Sequence, residues 1–200
     1  MGIKLFNKYE FEGIVIEDET LKNYLDLEPI VFPHTFGRIG KRKSGMKKNV
    51  VEKLINKLMR GGTGEKLSGR VIRTQGALQG KKMRVIKIIE GAFDIVAERT
   101  KKNPIQVLVK AVENAAPRED TTRVVFGGVR YQVAVDVSPK RRVDMALRHI
   151  ALAAIMGSFS KPGTMSDALA NELVMAANGD VNSYAVKRKN EVERIARSAR

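Results

Sequence analysis

From Val50 to Arg200 the apolar residues recur at helical spacing in six successive segments, and at one place the period drops to two. That combination narrows the possible folds sharply. Helices must bury their stripes against one another, and a single ribbon has no second sheet to join. The first helix is marked by Val50, Val51, Leu54, Ile55, Leu58 and Met59 behind a capping Asn49. The second runs from Lys82 to Arg99, with Val85, Ile88, Ile89, Ala92, Phe93 and Val96 as its stripe. In the third, Asn103 caps, Pro104 takes the first helical position, Gln106 stands where a capping box is completed, and Pro117 ends the run.

The change of period follows. From Val129 to Val137 every second residue has an apolar body, and the run Arg123 to Phe126 precedes it across Gly127 and Gly128. Two β-prone runs about a Gly-Gly turn predict a hairpin at about 123–137. A lone ribbon cannot bury both faces, so it must project from the helices or lie on them. Ser138 and Pro139 then open a fourth helix that buries Leu147, Ile150, Ala151, Ala154 and Ile155. Thr164, with Asp167 at the third position, caps a fifth from Met165 to Ala177. A last, basic helix lies within Asn182 to Arg200 and docks through Val192, Ile195, Ala196 and Ala199.

The fold class expected is therefore mainly α: a bundle of six helices with a protruding β-hairpin arm, plus an N-terminal extension. Residues 1–36 are too short to own a core and are read as an extension packing on the body, with Gly13 to Glu19 as one strand and Pro29 and Pro33 breaking any long helix. Residues 37–49 form a basic segment, and 50–200 the helical domain. Gly61, Gly62 and Gly64 end the first helix and open a loop to about Gln79, with Leu67 to Thr74 as a short strand or irregular arm.

Charge decides the class of partner. Thirty-seven Lys and Arg face 22 Asp and Glu, a formal excess of +15, which repels itself unless a polyanion neutralises it. Arg38, Lys41, Arg42, Lys43, Lys47 and Lys48 follow one another with glycines and no acid, a run that orders only against phosphate. Lys53 and Lys57 are read on the side of the first helix away from its stripe, extending that surface. Lys140, Arg141 and Arg142 occupy a first helical turn, where cations oppose the helix dipole at about 0.3–1 kcal/mol each. Contact with phosphate is the reason expected for them. Tyr131 either stacks on an unpaired base or packs across the strands.

Other chemistries lack their residues. There is no Cys, so thiolate metal sites and disulfides are excluded, and the two histidines, His34 and His149, cannot alone furnish a metal cluster. Neither Gly61 to Leu67 nor Gly76 to Lys82 matches a phosphate-gripping nucleotidase loop, and no dinucleotide fingerprint occurs. The pairs Glu10 and Glu12, and Glu17 and Glu19, solvate the extension or pair with basic residues. No catalytic residue, metal or cofactor is expected. No stretch reaches the roughly 18–20 apolar residues of a membrane span, and the N-terminus lacks a secretory pattern, so a soluble cytoplasmic protein is expected.

The chain resembles the ribosomal protein S7 family, its archaeal and eukaryotic branch in particular. The likeness runs through VVEKLINKLMRGG (Val50 to Gly62), NPIQVLVKAVENAAPRED (Asn103 to Asp120), GGVRYQVAVDVSPKRRVDMALRHI (Gly127 to Ile150), LANELVMAANG (Leu169 to Gly179) and NSYAVKRKNEVERIARSAR (Asn182 to Arg200), in family order over about three quarters of the chain. The resemblance implies six helices with an extended hairpin and binding to the 3′ major domain of 16S rRNA. It further implies nucleation of small-subunit head assembly and a place near the exit site where tRNA and mRNA pass, beside neighbouring head proteins. It assigns Arg38 to Lys48 with Lys53 and Lys57 to a main rRNA contact, and Arg118, Arg123, Arg130 and Gln132 to the hairpin's RNA-facing set. Lys140, Arg141 and Arg142 match its basic turn, and Lys187, Arg188 and Lys189 its last basic stretch; Tyr131 and Arg148 complete the expected RNA-binding set. Residues 1–36 and the longer loop Thr63 to Lys81 depart from the shorter bacterial pattern. The alternative is a free-standing RNA- or DNA-binding regulator, including a translational repressor acting on mRNA. Such regulators are often symmetric dimers, and no dimer helix is left over here, so a monomer is expected when the protein is free. An RNA-modifying enzyme would need an acid and base pair that the chain does not offer.

Overall fold

A computed structural model describes residues 2–35, 48–60, 66–67, 70–71, 78–159 and 161–200, the two pairs at 66–67 and 70–71 by their backbone alone. The protein is mainly helical. Among the described residues there are seven helices rather than six: α1 (Glu19–Lys22), α2 (Val50–Leu58), α3 (Lys82–Thr100), α4 (Pro104–Ala115), α5 (Pro139–Ser158), α6 (Met165–Ala177) and α7 (Tyr184–Ser198). The added one, α1, is a single turn capped by the Asp18 carboxylate, too short to show an apolar period. Three antiparallel pairs accompany them: β1 (Lys4–Leu5) with β2 (Tyr9–Glu10), β3 (Lys66–Leu67) with β4 (Arg70–Val71), and β5 (Glu119–Phe126) with β6 (Val129–Asp136). The hairpin thus begins four residues before Arg123, because Glu119 to Thr122 pair with Asp136 to Val133 despite their weak apolar signal.

The long helices α5 and α6 organise the core. α5 packs on α2, α4, α6 and α7, and α6 packs on α3 and α4 as well. Phe93, Leu54, Ile89, Leu108, Ile150 and Leu169 are fully buried among them. Each such side chain stabilises the fold by about 1.5–3 kcal/mol relative to exposure. Gly157 lets α5 approach α6 closely, since a Cβ there would lie 3.2 Å from the Cβ of Ala168.

Helix ends are tied partly by neighbours in sequence and partly by distant ones. Thr164 and Asp167 form the expected capping box, and Asn49 accepts from the Val51 amide. Ser138, by contrast, makes no side-chain cap bond. The buried Glu172 carboxylate on α6 accepts from Ser183 Oγ (2.7 Å) and the Ala185 amide (2.9 Å), capping α7 from another helix. A carboxylate at a helix N-terminus is favoured by both the unpaired amides and the dipole.

The first 35 residues pack on this bundle. Leu5, Phe11, Leu21 and Leu25 belong to the same apolar cluster as the helices. Residues 13–19 do not form the expected strand. Their backbone is instead held by side chains of α4: Gln106 donates to and accepts from Val15 (2.9 and 2.8 Å), and Glu113 Oε1 accepts from the amides of Glu17 and Asp18 (2.8 and 3.1 Å). Gln106 therefore does not complete a capping box. The Asn103 side chain accepts from the Ile105 amide, and its amide group donates to the Glu10 carbonyl.

Candidate nucleic-acid interface

Strand alternation gives the β5–β6 ribbon two chemically different faces. Register places Arg123 opposite Gln132 and Val125 opposite Arg130, so both arginines and Gln132 share one face. The other face carries Val124 opposite Tyr131, Phe126 opposite Val129, and Thr122 opposite Val133. Tyr131 thus points away from Arg130 and Gln132, between which it stands in sequence. From Thr122 to Val133 both faces are exposed, with Phe126 at the tip 79% accessible. Gly127 and Gly128 both have positive φ (57° and 82°), as a two-residue type I′ turn requires. The ribbon offers cations for phosphate on one side and bare apolar surface on the other.

The basic first turn of α5 resolves into three different environments. Lys140 is exposed. Arg141 reaches Asp120 Oδ2 on β5 at 3.1 Å, with most of its side chain in water. Arg142 is turned inward and only 6% exposed: its guanidinium donates to Asp18 Oδ2 (2.8 Å) and Thr20 Oγ1 (2.6 Å) in the N-terminal extension. The expectation of a phosphate contact is corrected for Arg142, which is spent on a carboxylate far away in sequence. Burial pushes the Asp18 carboxyl up, but hydrogen bonds from Thr20 and Arg142 outweigh it and leave its pKa below the ordinary value.

Lys53 and Lys57 are corrected in the same way. Lys53 is buried and donates to the Tyr24 carbonyl at 2.7 Å, and burial lowers its pKa. Lys57 is largely covered and pairs with Asp144 of α5 at 3.2 Å. They do not form an open outer face, because the extension and α5 cover that side of α2. Lys48 is half-buried; Arg38, Lys41, Arg42, Lys43 and Lys47 lie outside the described residues. Arg118 and Lys187 are exposed, Lys189 is half-buried, and Arg188 pairs with Glu191 at 2.5 Å.

Two clusters join residues from separate elements. A cleft of about 670 Å³ brings Glu17, Asp18 and Glu19 of the extension near Arg118, Lys189 and Arg197. A smaller pocket of about 120 Å³ brings Arg60, which the sequence reading passed over, beside Lys57 and Arg148. Its only signal was the spacing of three from Lys57 on one helical turn.

The histidines serve the scaffold. Lys82 Nζ lies 3.2 Å from His34 Nδ1 and donates to the buried Glu52 carboxylate at 2.7 Å, while His149 is buried with its ring edge-on to Tyr184. Glu10 pairs with Lys4 (2.7 Å) and Glu17 with Lys110 (3.8 Å). Among the described residues no group of three or more potential ligands is placed to hold a metal ion, and no helix is long and apolar enough to cross a membrane. Compared with known proteins, residues 22–200 match the family model described as ribosomal protein S7p/S5e.

Proposed function

The chain belongs to the ribosomal protein S7p/S5e family, and on that premise we propose that it is a primary rRNA-binding protein of the small ribosomal subunit, seated on the 3′ major domain of 16S rRNA. Membership makes its role structural and RNA-binding, without a catalytic step. In the proposed role it nucleates assembly of the subunit head, touches neighbouring head proteins, and lies near the exit site used by tRNA and mRNA. It is an archaeal-type member, cytoplasmic within the ribosome, and monomeric when free.

The observation that carries this reading is the exposed ribbon with Arg123, Arg130 and Gln132 on one face, on a chain with an excess of fifteen positive charges. Phosphate contacts from such a surface supply affinity and orientation, while shape supplies selectivity for a folded RNA. Arg118, Lys140, Arg141, Arg148 and Lys187 are the exposed cations assigned to the same partner, together with Arg38, Lys41, Arg42, Lys43, Lys47 and Lys48 of the basic segment 37–49. The test is a titration of the purified protein against an isolated head-domain RNA and a length-matched unrelated RNA across a range of salt. A preference for the head-domain RNA that survives at high salt is expected; equal, salt-erased binding to both would refute the assignment.

A further inference from the structure

Carboxylates beside an RNA-binding surface repel the phosphates it serves, so those that the β5–β6 ribbon keeps call for a reason. From Thr121 to Val135 the ribbon has none; Glu119, Asp120 and Asp136 all stand at its base. Strand alternation puts Glu119 on the face of Arg123 and Arg130, and Asp120 on the face of Val124 and Phe126. Each of these two acids is met by an arginine from a different helix. Arg200, just past the end of α7, pairs with Glu119, and Arg141, in the first turn of α5, reaches Asp120 at 3.1 Å. Both acids are largely covered, whereas both arginines stand mostly in water. Register also sets Glu119 directly opposite Asp136, a like-charge pair that weakens the ribbon unless a cation lies beside it, and Arg200 lines one pocket with both.

The ties are confined to the base. Glu193 of α7 accepts from the Arg118 amide at 3.0 Å, so Arg118, Glu119 and Asp120 are fastened to the helices one after another. The Val137 amide donates to the Arg118 carbonyl at 2.9 Å and closes the ribbon at the same level. Among the described residues no hydrogen bond or ion pair joins Thr122 to Val135 with a helix. The tip is therefore the end of a lever. Glu119 to Phe126 spans roughly 24 Å at about 3.4 Å per residue, and a swing of about 10° at the base carries the tip roughly 4 Å. A charge-assisted hydrogen bond of about 2.7–2.9 Å does not survive such a displacement.

We propose that the Glu119–Arg200 and Asp120–Arg141 pairs clamp the ribbon base from both faces and set the angle at which it leaves the helices, so that Glu119 and Asp120 are positioning residues for RNA binding. The proposal rests on the RNA-binding role argued above and gives these two acids a part in it. Exposed ion pairs contribute little to global stability. Their effect here is on direction. A ribbon held at one angle presents Arg123, Arg130 and Gln132 already in place, and binding then requires less ordering.

The chain has no Cys, so nitroxide labels can be set on the full chain at two exposed sites, Val129→Cys near the tip and Glu98→Cys on α3, and their distance distribution read by double electron–electron resonance without RNA. With Glu119→Gln and Asp120→Asn added, the distribution is expected to broaden while the circular dichroism spectrum and the denaturation midpoint stay those of the parent. Arg141→Gln with Arg200→Gln opens the clamp from the helix side, leaves the ribbon itself intact, and is expected to broaden the distribution as well. In titrations against a transcript of the 3′ major domain, the unlabelled Glu119→Gln, Asp120→Asn variant is expected to bind roughly tenfold more weakly than wild type. Charge alone predicts the opposite sign, because the variant has lost two carboxylates that repel phosphate. A distance distribution unchanged in both variants, or transcript binding as tight as wild type or tighter, would overturn the clamp. A wild-type protein with no preference for the transcript would bring down the RNA-binding role and with it the use of the clamp, while the distances, read without RNA, still show whether the ion pairs hold the ribbon.

Discussion

Arg141 and Arg142 are neighbours in one helical turn, yet the structure assigns them opposite tasks, and replacing each with Met separates those tasks. Arg142 is 6% exposed and makes charge-assisted hydrogen bonds of 2.8 Å to Asp18 and 2.6 Å to Thr20. Breaking a buried ion pair costs about 3–5 kcal/mol, chiefly because the abandoned charge stays desolvated. Asp18 keeps 19% of its side-chain surface in water and still accepts from Thr20, so the cost for Arg142→Met falls to about 2–3 kcal/mol. Arg141 pairs with Asp120 while 65% exposed, and Arg141→Met should cost at most about 0.5 kcal/mol. Denaturant unfolding followed by circular dichroism measures both. The effect of Arg142→Met also depends on pH. The folded Asp18 pKa lies below its ordinary value of 3.8, so the stabilisation is complete above about pH 3.8 and is lost as pH falls through the lowered value. The gap between wild type and Arg142→Met should therefore narrow in that acid window. In RNA titrations Arg142→Met should leave the salt dependence unchanged. Equal stability losses for the two variants, or a shallower salt slope for Arg142→Met alone, would refute the assignment of Arg142 to the extension.

Three further outcomes follow from the same geometry. Arg123→Gln with Arg130→Gln should leave stability within about 0.5 kcal/mol of wild type and reduce the salt slope of RNA binding by roughly 2, because both side chains are exposed on one ribbon face. Gln106→Ala removes both bonds to Val15, and amide exchange at Val15 should accelerate at least tenfold while the amides of α6 keep their protection. Tyr9 donates to Asp94 at 2.6 Å, and burial, followed by that hydrogen bond, raises its pKa above the ordinary 10. Its contribution is present below pH 10 and lost as pH rises through the raised value, so Tyr9→Phe should cost about 1–2 kcal/mol at neutral pH and remove a late component from the ultraviolet titration.

The helices and the ribbon were legible along the chain because their signals are local. A stripe such as Val85, Ile89, Phe93 and Val96 repeats at the pitch of the helix it builds, and Thr164 with Asp167 caps within a single turn. The type I′ turn needs only Gly127 and Gly128. Helix α1 escaped because four residues carry no period, and the strand expected at Gly13 to Glu19 failed because its backbone partners are side chains of α4, which alternation cannot foretell.

The candidate interface was legible as charge and composition but not as geometry. A run of cations announces a polyanion, whereas the partner of any one cation is chosen across the whole fold. Arg142 finds Asp18 across 124 positions of sequence, Lys53 finds the Tyr24 carbonyl across 29, and Gln106 finds Val15 across 91. Arg60 meets Arg148 only because α2 lies on α5. Periodicity, caps and net charge are properties of neighbouring residues and of sums, so the amino-acid order alone determined the helical class, the ribbon and the kind of partner. Which charges face that partner and which are consumed inside depends on burial and on contacts between distant segments, and only packing in three dimensions decided it.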